Sequence, residues 1–214
     1  MPVVGVDEAG KGPALGSMFA AALRVRDPAA LPDDLDDSKA LEPSHREALD
    51  AALRADDRVT VSIAEIEPTR IDDPASDMNT LTVAAHAEAL SGLARAGDRV
   101  ILDAGDVRAE RFARRVVERL PGRFDVRAEH RADATYAAVS AASVVAKVAR
   151  DAHVASLADE FGEVGSGYPS DPTTRAFLAG FVGEHGCLPE CARSSWQTCK
   201  DALAAAEQSA LEEF

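Results

Sequence analysis

The chain has 214 residues, 46% of them hydrophobic, and carries a net charge of −14. Such a length buries one sizeable core, no apolar run approaches the roughly 20 residues of a membrane-spanning helix, and the opening MPVVGVDEAG lacks the charged-then-apolar plan of a secretory signal. The expectation is a soluble, cytoplasmic monomer with no membrane partner, whose odd cysteine count (Cys187, Cys191, Cys199) suits reduced thiols better than a disulfide framework.

Val3–Asp7 reads as a short buried strand, and the glycine-rich stretch Gly10–Gly16 leads to a second strand over Ser17–Val25. Pro43–Arg54 has helix-period leucines at Leu49 and Leu53, with Pro43 early enough to tolerate its missing amide. Arg58–Ile66 supplies a third strand that completes a meander. Asn79–Arg95 is a helix ending near Gly97, Arg99–Leu102 a buried strand, Val107–Leu120 a helix, Phe124–Glu129 a strand and Ala134–Phe161 a long alanine-rich helix. The turn-rich run Gly165–Pro172 then precedes a helical C-terminal third that includes a helix over Asp201–Ala206. Three strands followed by alternating helices and strands predict an α/β fold with a mixed β-sheet flanked by helices and a helical C-terminal part.

Four acids stand out by their place in this order. Asp7 and Glu8 lie where the first strand runs into Gly10-Lys11-Gly12, Asp103 where a later strand runs into Gly105, and Asp133 just before the long helix. Groups at strand ends of an α/β sheet converge on one edge, where open sites are built. Hard oxygen ligands from several elements suit Mg²⁺ or Mn²⁺, and two such ions about 4 Å apart clamp the attacking and leaving oxygens of an in-line phosphoryl displacement. Taken singly, Asp133 reads equally as a helix cap, Asp103 as a turn residue and Glu8 as a solvated side chain. Asp7, at the end of a valine-rich strand, needs a partner more urgently. Because neighbouring strand residues point to opposite faces, Asp7 and Glu8 share one site only if the strand ends or bulges there.

The stretch Gly5–Gly12 also fits G-x-x-x-x-G-K, the start of a phosphate-binding P-loop, but ends in glycine where that motif has Ser or Thr. Two acids inside the loop repel phosphates, and Pro13 and Gly16 open a helix poorly, so a nucleotide-binding protein is the weaker reading. A zinc site from His185 and the three cysteines is weaker still, because the spacing H-x-C-x3-C-x7-C lacks a C-x2-C knuckle.

Asp7-Glu8-Ala9-Gly10-Lys11-Gly12 resembles the D-E-A-G-[RK]-G motif of ribonuclease HII. Asp37-Ser38-Lys39-Ala40-Leu41 is similar to that family's D-S-K-x-L segment, Leu102-Asp103-Ala104 to its third acid, Ala132-Asp133-Ala134 through Lys147-Val148 to its long-helix motif, and Gly165–Asp171 to its tyrosine-bearing loop. Arg193-Ser194-Ser195-Trp196-Gln197-Thr198 is similar to a segment of the archaeal branch. The resemblance implies a ribonuclease-H-like fold and an endoribonuclease that cuts the RNA strand of RNA/DNA hybrids and cuts 5′ of ribonucleotides embedded in duplex DNA, leaving 3′-hydroxyl and 5′-phosphate ends. It implies Asp7, Glu8, Asp103 and Asp133 as catalytic ligands of two Mg²⁺ or Mn²⁺ ions. Gly10, Lys11 and Gly12 would contact the ribose 2′-hydroxyl and flanking phosphates, and Tyr168 would pack on the adjacent sugar. A noncatalytic hybrid-binding module is the alternative within the same fold. On this reading residues 1–161 form the catalytic core, 162–206 a helical part completing the substrate site, and 207–214 a tail.

Only four lysines occur among 23 basic residues, and three of them, Lys11, Lys39 and Lys147, fall inside these motifs, which marks them as candidate phosphate contacts. The tail Gln208-Ser209-Ala210-Leu211-Glu212-Glu213-Phe214 fits Q-x-x-Φ-x-x-aromatic, resembling a sliding-clamp-binding peptide that sets Gln208, Leu211 and Phe214 on one side of a helical turn. The net charge of −14 opposes a polyanionic ligand. Arginine in place of lysine, with abundant Asp, Glu and Ala, has the look of a salt-adapted protein, and at molar salt a Debye length of roughly 3 Å confines that repulsion to close range.

Overall fold

The computed structural model describes residues 1–32, 35, 42–122 and 124–212. Five strands, β1 (Val3–Ala9), β2 (Met18–Val25), β3 (Val59–Ile66), β4 (Arg99–Asp103) and β5 (Asp125–Glu129), form one sheet in the order β3-β2-β1-β4-β5. β1 is antiparallel to β2 and parallel to β4, and β4 is parallel to β5, so the sheet is mixed as the element order predicts. The described helices are α1 (Pro43–Ala55), the single turn α2 (Pro68–Ile71), α3 (Met78–Ser91), α4 (Ala109–Val117), α5 (Ala137–Phe161), α6 (Pro172–His185) and α7 (Gln197–Glu212).

Two compact units divide the chain. The first comprises Met1–Ala9, Met18–Glu65 and Met78–Arg150 and contains the sheet. Its strand β2 is buried on both faces apart from Arg24, as its run of apolar residues requires. The odd-numbered residues Ala21, Leu23 and Val25 pack against Leu49 and Leu53 of α1 and against the alanines and valines of α5 from Ala138 to Ala146. The other face of β1 and β2 is covered by α3. Small side chains bring β1 and α5 together: a Cβ on Gly5 would lie 2.2 Å from the Ala138 carbonyl carbon and 2.4 Å from the Val139 nitrogen. The half-buried Arg24 pairs with buried Asp98 through Nε and Nη2 at 2.8 and 2.9 Å, a two-pronged geometry that fixes the turn before β4.

The second unit comprises Gly10–Ser17, Ile66–Asp77 and Asp151–Phe214. Its core joins Ala14 and Leu15 to Leu157, Val164, Leu178, Cys191 and Cys199, with Phe161, Phe177 and Trp196 around them. Burial pushes the Cys191 thiol up to about 12 and that of Cys199 to about 11, while Cys187 is exposed. Asp171 caps α6 by accepting from the Thr173 amide at 3.0 Å, and Gly186 ends that helix in the left-handed conformation.

Differences from the sequence expectation sit at element ends. The long helix begins at Ala137 because Ala132–Ala134 forms a separate 3₁₀ turn, and the last helix starts at Gln197, four residues before the expected Asp201.

Candidate active site

The strand carrying Asp7 and Glu8 neither ends nor bulges on its β2 side. Pairing runs in register from Val3↔Val25 through Asp7↔Ala21 and Glu8↔Ala20 to Ala9↔Phe19. The two acids therefore point to opposite faces. Asp7, 6% exposed, shares the α5 face with Gly5, while Glu8 points toward α3.

On the α5 face Asp7 and Asp103 stand at the carboxyl ends of two parallel strands, and the turn that carries Asp133 is fastened to the second of them. The pairing of β1 with β4 ends at Val6↔Leu102, so Asp7 and Asp103 follow side by side. Asp103 Oδ1 accepts the Ala132 amide at 2.7 Å, which fastens the 3₁₀ turn holding Asp133 to the end of β4. Arg131, at φ 59, is the sole non-glycine residue in the left-handed region among the described residues. Such a conformation costs about 1 kcal/mol and persists where surrounding contacts demand it; here it turns the chain so that the next amide meets Asp103. Asp133 is 6% exposed. Burial, then the charges of Glu8 and Asp103, hold the Asp7 carboxyl well above the usual carboxylate range, although the Glu8 amide at 2.8 Å pulls the other way.

Glu8 is held by a residue that the sequence reading did not single out. His86 of α3 is fully buried, and its Nε2 lies 2.7 Å from Glu8 Oε2, with the ring edge-on to Phe112 at 5.0 Å. Gly105 makes room beside them, since a Cβ there would come within 2.6 Å of Thr82 Cγ2 and 3.3 Å of Glu8 Oε1. A lone histidine amid Leu81–Leu90 is a buried polar group that requires a partner, a signal present in the sequence without the partner's identity.

Among the described residues no three His, Cys, Asp or Glu side chains form a ready-made metal cage. Oxygens of the acids instead serve internal donors: the Glu8 amide on Asp7, the Ala132 amide on Asp103 and His86 on Glu8. The donor set nevertheless fits a hard divalent cation. It consists of carboxylates, Asp7 and Asp133 are buried, and the burial and like-charge repulsion that together lift the Asp7 carboxyl are what a cation relieves.

In the second unit, Gly10–Gly12 begin the loop that leads along the chain into a strand, where a P-loop would lead into a helix. Gly10 has φ 85, a conformation that favours glycine. The loop is tied to the C-terminal segment by Ala14 and Leu15 amides on the Gly167 carbonyl, Gly16 N–H on Cys191 and Arg193 N–H on Ala14. Tyr168, 40% exposed, stands beside Gly12, where a Cβ would lie 3.6 Å from its ring. Lys11 and Lys147 are half-buried, the latter on α5. Lys39, with the whole Asp37–Leu41 motif, and Phe214 lie outside the described residues; Gln208 is exposed on α7, and the Leu211 side chain is likewise outside the description.

The family model for Ribonuclease HII matches residues 4–199. A Ribonuclease HII of Halobacterium salinarum is 61% identical over 98% of this chain and 98% of its own length. Among solved structures, the ribonuclease H2 of Pyrococcus horikoshii superposes with a TM-score of 0.90 at 35% identity, covering 97% of this chain and 100% of that one. RNase HII of Archaeoglobus fulgidus, solved as a PCNA:RNase HII complex, gives 0.83 at 34% identity over 92% and 96% of the two chains.

Proposed function

The chain belongs to the ribonuclease HII family, and from that premise we propose that it hydrolyses the RNA strand of RNA/DNA hybrids and cuts duplex DNA on the 5′ side of an embedded ribonucleotide. The observation that carries this reading is the meeting of Asp7, Asp103 and the Asp133 turn at the carboxyl ends of β1 and β4. Asp7, Asp103 and Asp133 are the residues that would hold two divalent cations, Mg²⁺ or Mn²⁺, together with Glu8, whose charge acts on Asp7 at the strand end that β1 leaves unpaired on its β4 side beyond Val6. Such ions, when bound, supply positive charge to the attacking and leaving oxygens of an in-line displacement at phosphorus.

The chain's own groups do the rest. Asp103, through the Ala132 amide, keeps Asp133 at the end of β4, so the acids are positioned before substrate arrives. His86 keeps Glu8 oriented from the α3 side. Water attacks phosphorus and the bond to the upstream O3′ breaks, giving 3′-hydroxyl and 5′-phosphate ends. Gly10, Lys11 and Gly12 contact the ribose 2′-hydroxyl and flanking phosphates, because the two glycines, having no Cβ, let the backbone approach closely, and the 2′-hydroxyl is what separates RNA from DNA at one position. Tyr168 packs on the neighbouring sugar, and Lys39 and Lys147 contact phosphates. The monomer works in the cytoplasm at high salt, where its acidic surface is screened, and Gln208, Leu211 and Phe214 dock on a sliding clamp, as the PCNA complex of the Archaeoglobus relative suggests.

The test is a labelled DNA duplex carrying one ribonucleotide, incubated in high salt with Mg²⁺ or Mn²⁺ beside an all-DNA control. Metal-dependent cleavage 5′ of the ribonucleotide alone is the expected result. No cleavage across a series of salts and metals would leave a noncatalytic hybrid-binding module as the better account.

A further inference from the structure

Four carbonyls of the glycine loop, those of Gly10, Lys11, Gly12 and Gly16, are held by two side chains three residues apart. Arg193 is fully buried, and its guanidinium donates Nη2 to the Gly10 carbonyl at 2.6 Å, Nη1 to Lys11 at 3.1 Å and Nε to Gly16 at 2.8 Å. The Trp196 indole N–H donates to the Gly12 carbonyl at 3.2 Å, and the guanidinium carbon sits 5.1 Å from the centre of the indole ring. The planar fork of arginine reaches three acceptors at fixed angles, which a lysine ammonium cannot reproduce across the span from Gly10 to Gly16.

Peptide planarity turns this arrangement into a statement about the loop's other side. In a trans peptide the carbonyl of one residue and the amide N–H of the next point in opposite directions, and no peptide bond here is cis. With the carbonyls of Gly10 and Lys11 drawn onto Arg193, the amides of Lys11 and Gly12 are directed away from it. The carbonyl of Gly12 is held by Trp196, and the next residue, Pro13, has no amide, so the run of outward donors ends there. Two successive amides directed to one side are the geometry that suits an electron-rich oxygen.

The clamp is itself anchored. Asp72 accepts the Ser194 amide and hydroxyl at 2.6 and 2.8 Å and the Ser195 amide and hydroxyl at 3.0 and 2.5 Å, fixing both residues between Arg193 and Trp196. Arg193 N–H on Ala14 and the Leu15–Ala192 bridge tie the same segment to the far end of the loop.

We propose that Arg193 and Trp196 are positioning residues that hold the Lys11 and Gly12 amides outward and so set the preference for a ribose over a deoxyribose at the cut site. This rests on the assignment of Gly10, Lys11 and Gly12 to substrate recognition. The experiment measures KM for a duplex with one ribonucleotide and the inhibition constant of the same all-DNA duplex as competitor. Their ratio is independent of the fraction of active protein, so a merely structural lesion leaves it unmoved. Arg193→Lys, which keeps the charge and loses the fork, is expected to reduce the preference for the ribonucleotide about tenfold, and Trp196→Phe, which keeps a ring and loses one N–H, about threefold. Wild-type preference retained in folded Trp196→Phe and in Arg193→Lys overturns the proposal. Should Arg193→Lys fail to fold, Trp196→Phe decides alone by the same criterion. A wild-type ratio near one removes the loop's assignment to ribose recognition, and the proposal with it, which is a different failure from a wild-type preference that both variants keep.

Discussion

Gly5→Ala adds one methyl group where β1 crosses the start of α5. The new Cβ would lie 2.2 Å from the carbonyl carbon and oxygen of Ala138 and 2.4 Å from the Val139 nitrogen, more than an ångström inside ordinary contact, and all three are backbone atoms that no rotamer change moves aside. Gly5 does not occupy the left-handed region, so the effect is steric. Overpacking of this kind costs about 3 kcal/mol, equivalent to a fall in Tm of about 9 °C for a chain of this size. Relief requires strand and helix to separate by about 1 Å, and Asp7, two residues along on the same face, moves relative to the Asp133 turn. A misplacement of that order costs roughly 10²-fold in rate. The assay pairs a thermal melt with kcat/KM on a single-ribonucleotide duplex, measured well below the variant's Tm. Gly180→Ala in α6 is the internal contrast: nothing lies within 4 Å of its added Cβ, and removing a helical glycine should raise stability by about 1 kcal/mol. A Gly5→Ala protein with unchanged Tm would refute the close approach of β1 and α5. One that is destabilised yet fully active would refute the claim that this contact sets the acids' spacing.

Asp103→Asn keeps an oxygen to accept the Ala132 amide, so the turn survives and the melt stays near wild type, while loss of the charge abolishes cleavage and leaves hybrid binding measurable; full activity would remove Asp103 from the ligand set. Deleting residues 208–214 is expected to leave cleavage of short duplexes intact and to weaken association with a sliding clamp, and unchanged clamp binding sinks the tail assignment. Asp171 titrates at about 2 in the folded protein because the Ser166 amide and hydroxyl, then the Thr173 amide, donate to it. A depressed carboxylate stabilises fully above its unfolded value near 4 and loses that contribution as pH falls through about 2. Tm followed from pH 5 downward should therefore drop more steeply in wild type than in Asp171→Asn, and parallel curves would contradict the cap.

The sheet was legible because hydrophobic runs bounded by glycine and acid mark buried strands, and their order among helices dictates mixed pairing. The placement of three of the proposed ligands follows the same logic: Asp7 and Asp103 stand at the carboxyl edge of parallel strands, and the turn carrying Asp133 is fastened there through Ala132. Glu8 was harder. Sequence alone offered a bulge or a strand end as the way to bring it beside Asp7, whereas β1 stays paired with β2 through Ala9 and sends Glu8 to the other face. The long helix starts three residues later than alanine-rich propensity predicts, because Ala132–Ala134 forms a separate 3₁₀ turn fastened to Asp103 through the Ala132 amide, a long-range contact that local propensity does not encode.

What the sequence withholds has a common physical cause. A buried polar group announces a demand for a partner, but the supplier is fixed by the fold, and in this chain the suppliers are distant: 78 residues separate Glu8 from His86, 74 separate Arg24 from Asp98 and 183 separate Gly10 from Arg193. Each pairing joins a residue of the first two strands or their connecting loop to a later element. The N-terminal motif therefore holds the residue types of the proposed site, while its geometry is written elsewhere in the chain. Substitutions at His86 and Arg193, outside the motif, should consequently disturb Glu8 and the glycine loop as effectively as substitutions beside them.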